Sequence, residues 1–97
     1  MQFEIILTPG ANADLAYFKT AEQRLIVKGI KHYLAVDAHI ETKKRKQLRA
    51  NLLAPWELRI DAYRVFYDFE DAGIVKIIAV GIKEHNDLYI RGRRVLL

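Results

Sequence analysis

The sequence predicts an α+β domain in which two antiparallel helices pack on one face of a small, twisted and mostly antiparallel sheet. Two observations support this fold class. Apolar residues recur at helical spacing between residues 12 and 34, and after Pro55 the apolar period becomes two, which is typical of strands. The predicted order is strand, helix, helix and three strands, with a short helix or coil after Glu84.

The first half of the chain predicts one strand and the helix pair. Alternating apolar residues over 3–7 predict a short strand that ends at Thr8-Pro9-Gly10. Helical spacing between residues 12 and 19 predicts the first helix. Thr20 and Gln23 match a capping-box pattern, which predicts that a longer second helix begins there. Its apolar residues fall on one stripe, as expected for a helix that packs against a partner.

Two later strands are predicted to form a tight hairpin, because only Asp61-Ala62 separates two alternating segments. A two-residue turn fixes the register. The predicted pairs are Ile60 with Tyr63, Arg59 with Arg64, Leu58 with Val65, Glu57 with Phe66, and Trp56 with Tyr67. Residues 74–82 are apolar at nearly every position, which predicts a central strand covered on both faces.

Composition limits the possible functions. The 97 residues suit one core, so we expect a single domain over residues 1–97. The absence of cysteine excludes disulfides and thiolate chemistry, and the three histidines lack a carboxylate spaced to complete a metal site. We therefore expect no metal or cofactor. The N-terminal segment does not resemble a secretory signal, so we expect a cytoplasmic protein. The net charge of +4 favours an anionic partner.

The predicted hairpin places Arg59 and Arg64 side by side on one face of the sheet. Like charges in this position destabilise a hairpin by up to about 1 kcal/mol, so a compensating group is expected. One alternative is a surface charge ladder in which Glu57, on the same face, screens the arginines. The other is an anion site, because guanidinium groups bind phosphate oxygens in a two-point manner and stay charged at any working pH.

The end of the central strand adds further candidate groups. If alternate residues from 75 to 83 lie on the arginine side, Lys83 joins the arginines there, and His85 and Tyr89 follow within six residues. These groups would form one cup-shaped site. Such a site could promote cleavage of RNA by the RNA's own 2′-hydroxyl, since the protein need only move two protons and stabilise the charge on phosphorus. The alternative is that His85 is a solvated loop residue and Tyr89 an aromatic anchor.

A basic run precedes the hairpin. Five cations fall within seven positions, namely Lys43, Lys44, Arg45, Lys46 and Arg49. The apolar period is lost over residues 41–53, so the run is either a solvated loop or helix end, or a phosphate-binding segment.

Three segments carry a family resemblance: "LRANLLAPWELRI", which leads into "AYRVFYDF", and "IIAVGIKEHNDLY". They are similar to the RelE/ParE superfamily of toxins from bacterial type II toxin–antitoxin systems, and the resemblance covers nearly the whole chain. RelE-type toxins enter the ribosomal A site and cut messenger RNA without a metal. The resemblance therefore implies a ribosome-dependent mRNA endoribonuclease, an mRNA interferase, that a cognate antitoxin protein holds inactive.

The resemblance also implies roles for individual residues. Arg64 falls on the family's phosphate-stabilising arginine, Lys83 on a position where RelE has arginine, and Tyr89 on its C-terminal catalytic tyrosine. Arg59 and Glu57 occupy two lysine positions of RelE. The carboxylate of Glu57 is then either a general base or a mark of weakened catalysis.

Other residues and other functions also follow from the resemblance. His85 lies close to a catalytic histidine of certain relatives. A further set of cations would suit contact with ribosomal RNA: Lys43, Lys44, Arg45, Lys46, Arg49, Arg91, Arg93 and Arg94. ParE-type members share the fold and often the Tyr-Arg segment but inhibit DNA gyrase, so Arg64 alone does not separate the two branches. A catalytically silent relative that only binds antitoxin or RNA is a third possibility, which Glu57 keeps open.

Overall fold

The structure is a computed structural model that describes residues 1–97. Its elements are β1 (Glu4–Leu7), α1 (Pro9–Ala16), α2 (Thr20–Leu34), β2 (Arg45–Gln47), β3 (Trp56–Ile60), β4 (Tyr63–Phe69), β5 (Ile74–Glu84), β6 (Asp87–Ile90) and β7 (Arg93–Val95). The predicted α+β class, with two helices on a mostly antiparallel open sheet, is confirmed. Neither helix is long and apolar enough to cross a membrane.

All strands belong to one sheet, in the order β2-β3-β4-β5-β6-β7. β1 pairs in parallel with the first half of β5, whereas β6 pairs with its second half. The other pairings are antiparallel. The register predicted for the β3–β4 hairpin is confirmed at every pair, including Arg59 opposite Arg64.

The main core lies between the helices and one side of the sheet, which we call the helix face and define by Tyr63, Val65 and Tyr67 of β4. Helix α1 packs on β5 and β1, and α2 packs on β3. Tyr67 is fully buried, and its hydroxyl donates a hydrogen bond of 2.8 Å to the carbonyl oxygen of Ala38. Trp56 is also buried in this core.

The second helix starts differently from the prediction. Lys19, rather than Thr20, is the N-cap, and the Glu22 carboxylate accepts a hydrogen bond of 3.1 Å from the Lys19 N–H. The side-chain amide of Gln23 donates instead to the carbonyl oxygen of Phe18. The Thr20–Gln23 capping box is therefore wrong, because the glutamate one position earlier takes the role at the helix terminus.

A glycine lets α2 approach the sheet closely. A Cβ atom at Gly29 would meet Cδ1 of Ile60 first and would lie 2.9 Å from its Cγ1, closer than side-chain carbons normally approach. The helix and β3 can therefore keep this separation only without a side chain at that position.

A bulge in β5 changes which of its residues share a face. The register against β4 shifts by one residue at Ile78, which has no partner there. Val75, before the bulge, lies in the main core, whereas Ala79, after it, lies in a separate cluster on the other side of the sheet. The expectation that alternate residues from 75 to 83 share one face is therefore wrong.

The segment after Glu84 forms two strands instead of the predicted short helix or coil. His85 and Asn86 connect β5 to β6 with positive φ angles of 52° and 70°. Arg91 and Gly92 connect β6 to β7 with φ angles of 48° and 75°. Turns of this kind match the twist of the strands on either side, so the chain continues the sheet.

Part of the basic run forms a strand. The sequence left open a solvated loop or helix end and a phosphate-binding segment, whereas in the structure Arg45–Gln47 is the edge strand β2, which pairs with β3. The guanidinium of Arg45 donates to the carbonyl oxygens of Tyr33 and Ile40, at 2.8 and 2.9 Å. Arg45 thus ties the end of α2 to the sheet.

Candidate phosphate-binding site and its surroundings

Charged side chains collect on the side of the sheet that points away from the helices, which we call the arginine face and define by Arg59 and Arg64. Strand alternation and register place on it charged residues from the neighbouring strands β2 to β5: Lys46, Glu57, Arg59, Arg64 and Lys83, and farther along the face the paired residues Asp68 and Lys76. The part of the face near the β3–β4 turn therefore has an excess of positive charge around Glu57.

Arg64 is held in place by the backbone of the β3–β4 turn. Its Nη1 donates to the carbonyl oxygens of Asp61 and Tyr63, at 2.7 and 2.9 Å. Its Nε is buried and has no hydrogen-bond partner. Burial lowers the pKa of Arg64, the Glu57 carboxylate opposes this shift, and the charge of Arg59 adds to it. Arg64 is thus a cation fixed at the turn, and an anion on this face would approach the part of its guanidinium that the two carbonyl oxygens do not hold.

Glu57 partly neutralises this face. Only 4% of the residue is exposed, and its Oε1 accepts a hydrogen bond of 3.0 Å from Nε of Arg59. A buried carboxylate needs such a partner, because an unpaired charge is costly to remove from water. Glu57 therefore screens Arg59 as the charge-ladder alternative expects, while Nε of Arg64 is left without a partner.

An apolar cluster lies beside the charges. Its buried members are Ala54, Phe66, Ala79 and Leu88. Gly81, which is opposite Arg64, allows β6 to come close, because a Cβ atom there would lie 2.6 Å from the carbonyl oxygen of Tyr89. The β6 strand thus lies close to β5 at the edge of this apolar cluster, next to Arg64.

Tyr89 does not join the arginine face. It pairs with Ile82, which packs against the main core, whereas its neighbour Leu88 pairs with Lys83 and lies in the apolar cluster. Alternation therefore directs the Tyr89 side chain to the helix face, where it lines a cavity. The expectation that Arg64, Lys83 and Tyr89 converge in one cup is wrong, because the unpredicted β5–β6 hairpin sets a register that separates the phenol from the guanidinium.

His85 lies at the tip of the β5–β6 turn and is exposed. It follows Lys83 by two residues and so stays at the same end of the sheet as the arginines. No group of three or more histidine, aspartate or glutamate side chains is arranged to hold a metal ion.

The basic residues that the sequence marks as candidates for contact with ribosomal RNA divide into two groups. Arg45, Arg91 and Arg94 are bound to other parts of the chain, the last two in ion pairs with Asp14 and Asp87 at 2.8 and 3.3 Å. The second group is exposed and forms no ion pair: Lys43, Lys44, Lys46, Arg49 and Arg93.

Two residues of the surroundings have no counterpart among the sequence-based candidates. Asp14 is 3% exposed and holds both Arg91 and the backbone N–H of Val80, at 3.0 Å for the latter. Tyr17 ends α1 with 58% of its surface exposed. The only sequence signal for the role of Asp14 is that an acidic residue stands among the apolar residues of the first helix. Nothing in the sequence singles out Tyr17.

Comparison with solved structures gives a match for the fold. The structure is similar to a chain in the crystal structure of the toxin–antitoxin complex RelBE2 from Mycobacterium tuberculosis, with a TM-score of 0.72. The two are 21% identical in sequence, and the match covers 86% of this chain and 100% of that chain. No family model and no curated protein matches the sequence. The fold expected from the resemblance to RelE/ParE toxins is thus confirmed.

Proposed function

We propose that this protein is the toxin of a type II toxin–antitoxin system and that it is a metal-independent, ribosome-dependent mRNA endoribonuclease. The observation that carries the proposal is Arg64, whose guanidinium is fixed by two carbonyl oxygens beside Arg59 on a face with an excess of positive charge. The fold shared with a chain of a toxin–antitoxin complex supports the same proposal.

The arginine face suits the charge changes of RNA cleavage. The ribose 2′-hydroxyl attacks the adjacent phosphorus, the bond to the 5′-oxygen breaks, and a 2′,3′-cyclic phosphate forms. Negative charge on the phosphoryl oxygens rises in the transition state, where donors that are already in position stabilise it most. Arg64 and Arg59 bind these oxygens, and Lys83 adds positive charge.

Two groups on this side of the sheet can move the protons. Glu57 is the carboxylate next to the arginines, and we assign it the removal of the proton from the 2′-hydroxyl. His85, at the neighbouring turn, protonates the 5′-oxygen that leaves, since imidazole exchanges protons near neutral pH. Tyr89 lies on the other face and contacts the RNA outside the reacting phosphate.

The partners follow from the same charge pattern. The exposed cations without ion pairs, Lys43, Lys44, Lys46, Arg49 and Arg93, contact phosphates of ribosomal RNA without reading sequence. A cognate antitoxin with an acidic segment covers the arginine face and blocks messenger RNA.

The test is induced expression followed by growth measurement and primer extension on cellular transcripts. We expect cuts within codons, and we expect Arg64→Ala to reduce cleavage at least about 100-fold, because removal of one transition-state donor costs about this much. Lys31→Ala, an exposed cation on α2, is the matched control and should cleave normally.

Two results would contradict the nuclease. Blocked gyrase supercoiling without transcript cuts would identify a ParE-like gyrase inhibitor. The absence of both activities would identify a catalytically silent relative, in which Glu57 holds Arg59 in an ion pair and keeps it from a phosphate.

A further inference from the structure

A cavity of about 310 Å³ lies beside α1 on the helix face, and nothing above assigns it a function. Its walls include Tyr17 from the end of α1, Tyr89 from β6 and Ile82 from β5. Ile82 pairs with Tyr63, the residue before Arg64. The cavity and Arg64 are therefore at the same end of the sheet but on its two opposite faces.

Two polar groups of the cavity, those of Arg91 and Tyr17, are held by contacts with the rest of the chain. Arg91 contributes to the lining and is fixed by its ion pair with the buried Asp14, at 2.8 Å, while 54% of its side chain stays exposed. The turn at Gly92 lies directly against Tyr17, because a Cβ atom at that glycine would be 3.0 Å from the tyrosine hydroxyl oxygen. Glu84 supplies the carboxylate of the lining.

We propose that this cavity binds one unpaired base of the RNA, with a preference for guanine; the proposal rests on the nuclease function above. Tyr17 and Tyr89 offer aromatic faces on which an unstacked base can pack. The Glu84 carboxylate accepts from the two adjacent N–H donors on the Watson–Crick edge of guanine, which no other base presents side by side. Arg91 donates to the acceptors of the base.

Charge argues that a base, rather than a phosphate, enters the cavity. Glu84 repels a phosphate, whereas it attracts a donor edge. Lys83 and Glu84 are consecutive in β5, so their side chains point to opposite faces. An RNA strand that crosses the β5–β6 turn can therefore keep its phosphate with Lys83 and Arg64 and place a neighbouring base beside Glu84.

The test uses short 2′-O-methyl RNA oligonucleotides, which lack the attacking hydroxyl and cannot be cleaved. One is all uridine and the other has a single guanosine, and fluorescence anisotropy measures their binding to the whole protein. We expect tighter binding of the guanosine oligonucleotide. Tyr17→Ala should weaken its binding by about 5- to 100-fold, the usual effect of removing one stacking side chain. Tyr17→Phe should restore it.

A second variant separates base recognition from stacking. Glu84→Gln should remove the preference for guanosine, measured as the ratio of the affinities for the two oligonucleotides, because one amide oxygen cannot accept from both N–H donors of guanine. Tyr17→Ala protein that binds both oligonucleotides like wild type, or a guanosine preference that persists in Glu84→Gln, would overturn the proposal.

The two proposals can fail separately. Binding needs no cleavage, so transcript cuts combined with wild-type binding by Tyr17→Ala would rule out only the proposed base-binding cavity. Guanosine-selective binding by a protein that makes no cuts would rule out only the proposed nuclease activity.

Discussion

The Asp14→Asn variant tests how the β6–β7 turn, and with it the cavity beside α1, is held against this helix. Oδ1 of Asp14 lies 2.8 Å from Nε of Arg91, and its Oδ2 accepts a hydrogen bond of 3.0 Å from the N–H of Val80. Both partners are donors. Asp14→Asn therefore sets an amide NH₂ against one of them, and we expect the protein to lose stability.

The size of the loss follows from burial. Breaking a buried ion pair costs about 3–5 kcal/mol. Asp14 is buried, but 54% of the Arg91 side chain is exposed to water, which screens its charge. We therefore expect a loss of about 2–3 kcal/mol in the free energy of unfolding. In a domain of this size that lowers the melting temperature by roughly 8–24 °C.

Urea denaturation measures this loss, with fluorescence of Trp56, the sole tryptophan, as the probe. Asp87→Asn is the matched control, because it removes the same charge from an ion pair in which the side chain of Arg94 is 60% exposed and that of Asp87 40% exposed. We expect the control to lose less than about 1 kcal/mol. Equal losses in the two variants would refute the reasoning, since Asp14 differs from Asp87 in its burial and in its hydrogen bond to the Val80 N–H.

Two further outcomes are expected. Gly29→Ala should destabilise the protein by up to about 2 kcal/mol, because overpacking against Ile60 costs about 1–3 kcal/mol and the gain in helix preference returns only about 1 kcal/mol. Ile60→Val should recover part of this loss in urea denaturation, and a more stable Gly29→Ala protein would contradict the close packing. The Tyr63 hydroxyl donates to Glu22 at 2.6 Å, which raises the pKa of Tyr63 from 10.0 to about 12 and lowers the pKa of Glu22. The contribution of Tyr63 to stability is thus complete below pH 10.0 and is lost as the pH rises towards about 12. The contribution of Glu22 is complete above its ordinary pKa of 4.5 and is lost as the pH falls below that value. Tyr63→Phe should flatten both limbs of the plot of urea midpoint against pH, and an unchanged plot would count against this hydrogen bond.

The central hairpin can be predicted from sequence because its signals agree. Alternation and a two-residue turn at Asp61-Ala62 allow one register, and that register alone brings Arg59 opposite Arg64. The bulge at Ile78 cannot be predicted, because a strand that is apolar at nearly every position has no alternation to show which residue is extra.

The candidate site is predictable only in part, for the same reason. The turn at His85-Asn86 lacks the glycine that usually reveals a hairpin, so the face of Tyr89 is undetermined without the structure. The structural roles of Arg45 and Arg91 depend on Tyr33 in α2 and Asp14 in α1, which belong to other elements of the fold. Residue types therefore indicate the chemistry of the arginine face, whereas long-range contacts decide which cations are free to serve it.

The pairing of the first strand with the fifth has a consequence for the order of events during synthesis. Glu4 pairs with Ile74, so the N-terminal segment must wait for a partner that the ribosome makes much later. Contacts between such distant parts of a chain form slowly and only after the intervening residues are available. A nascent or prematurely terminated chain that lacks β5 thus leaves β1 without a partner, and the complete sheet assembles only when nearly the whole chain has been made.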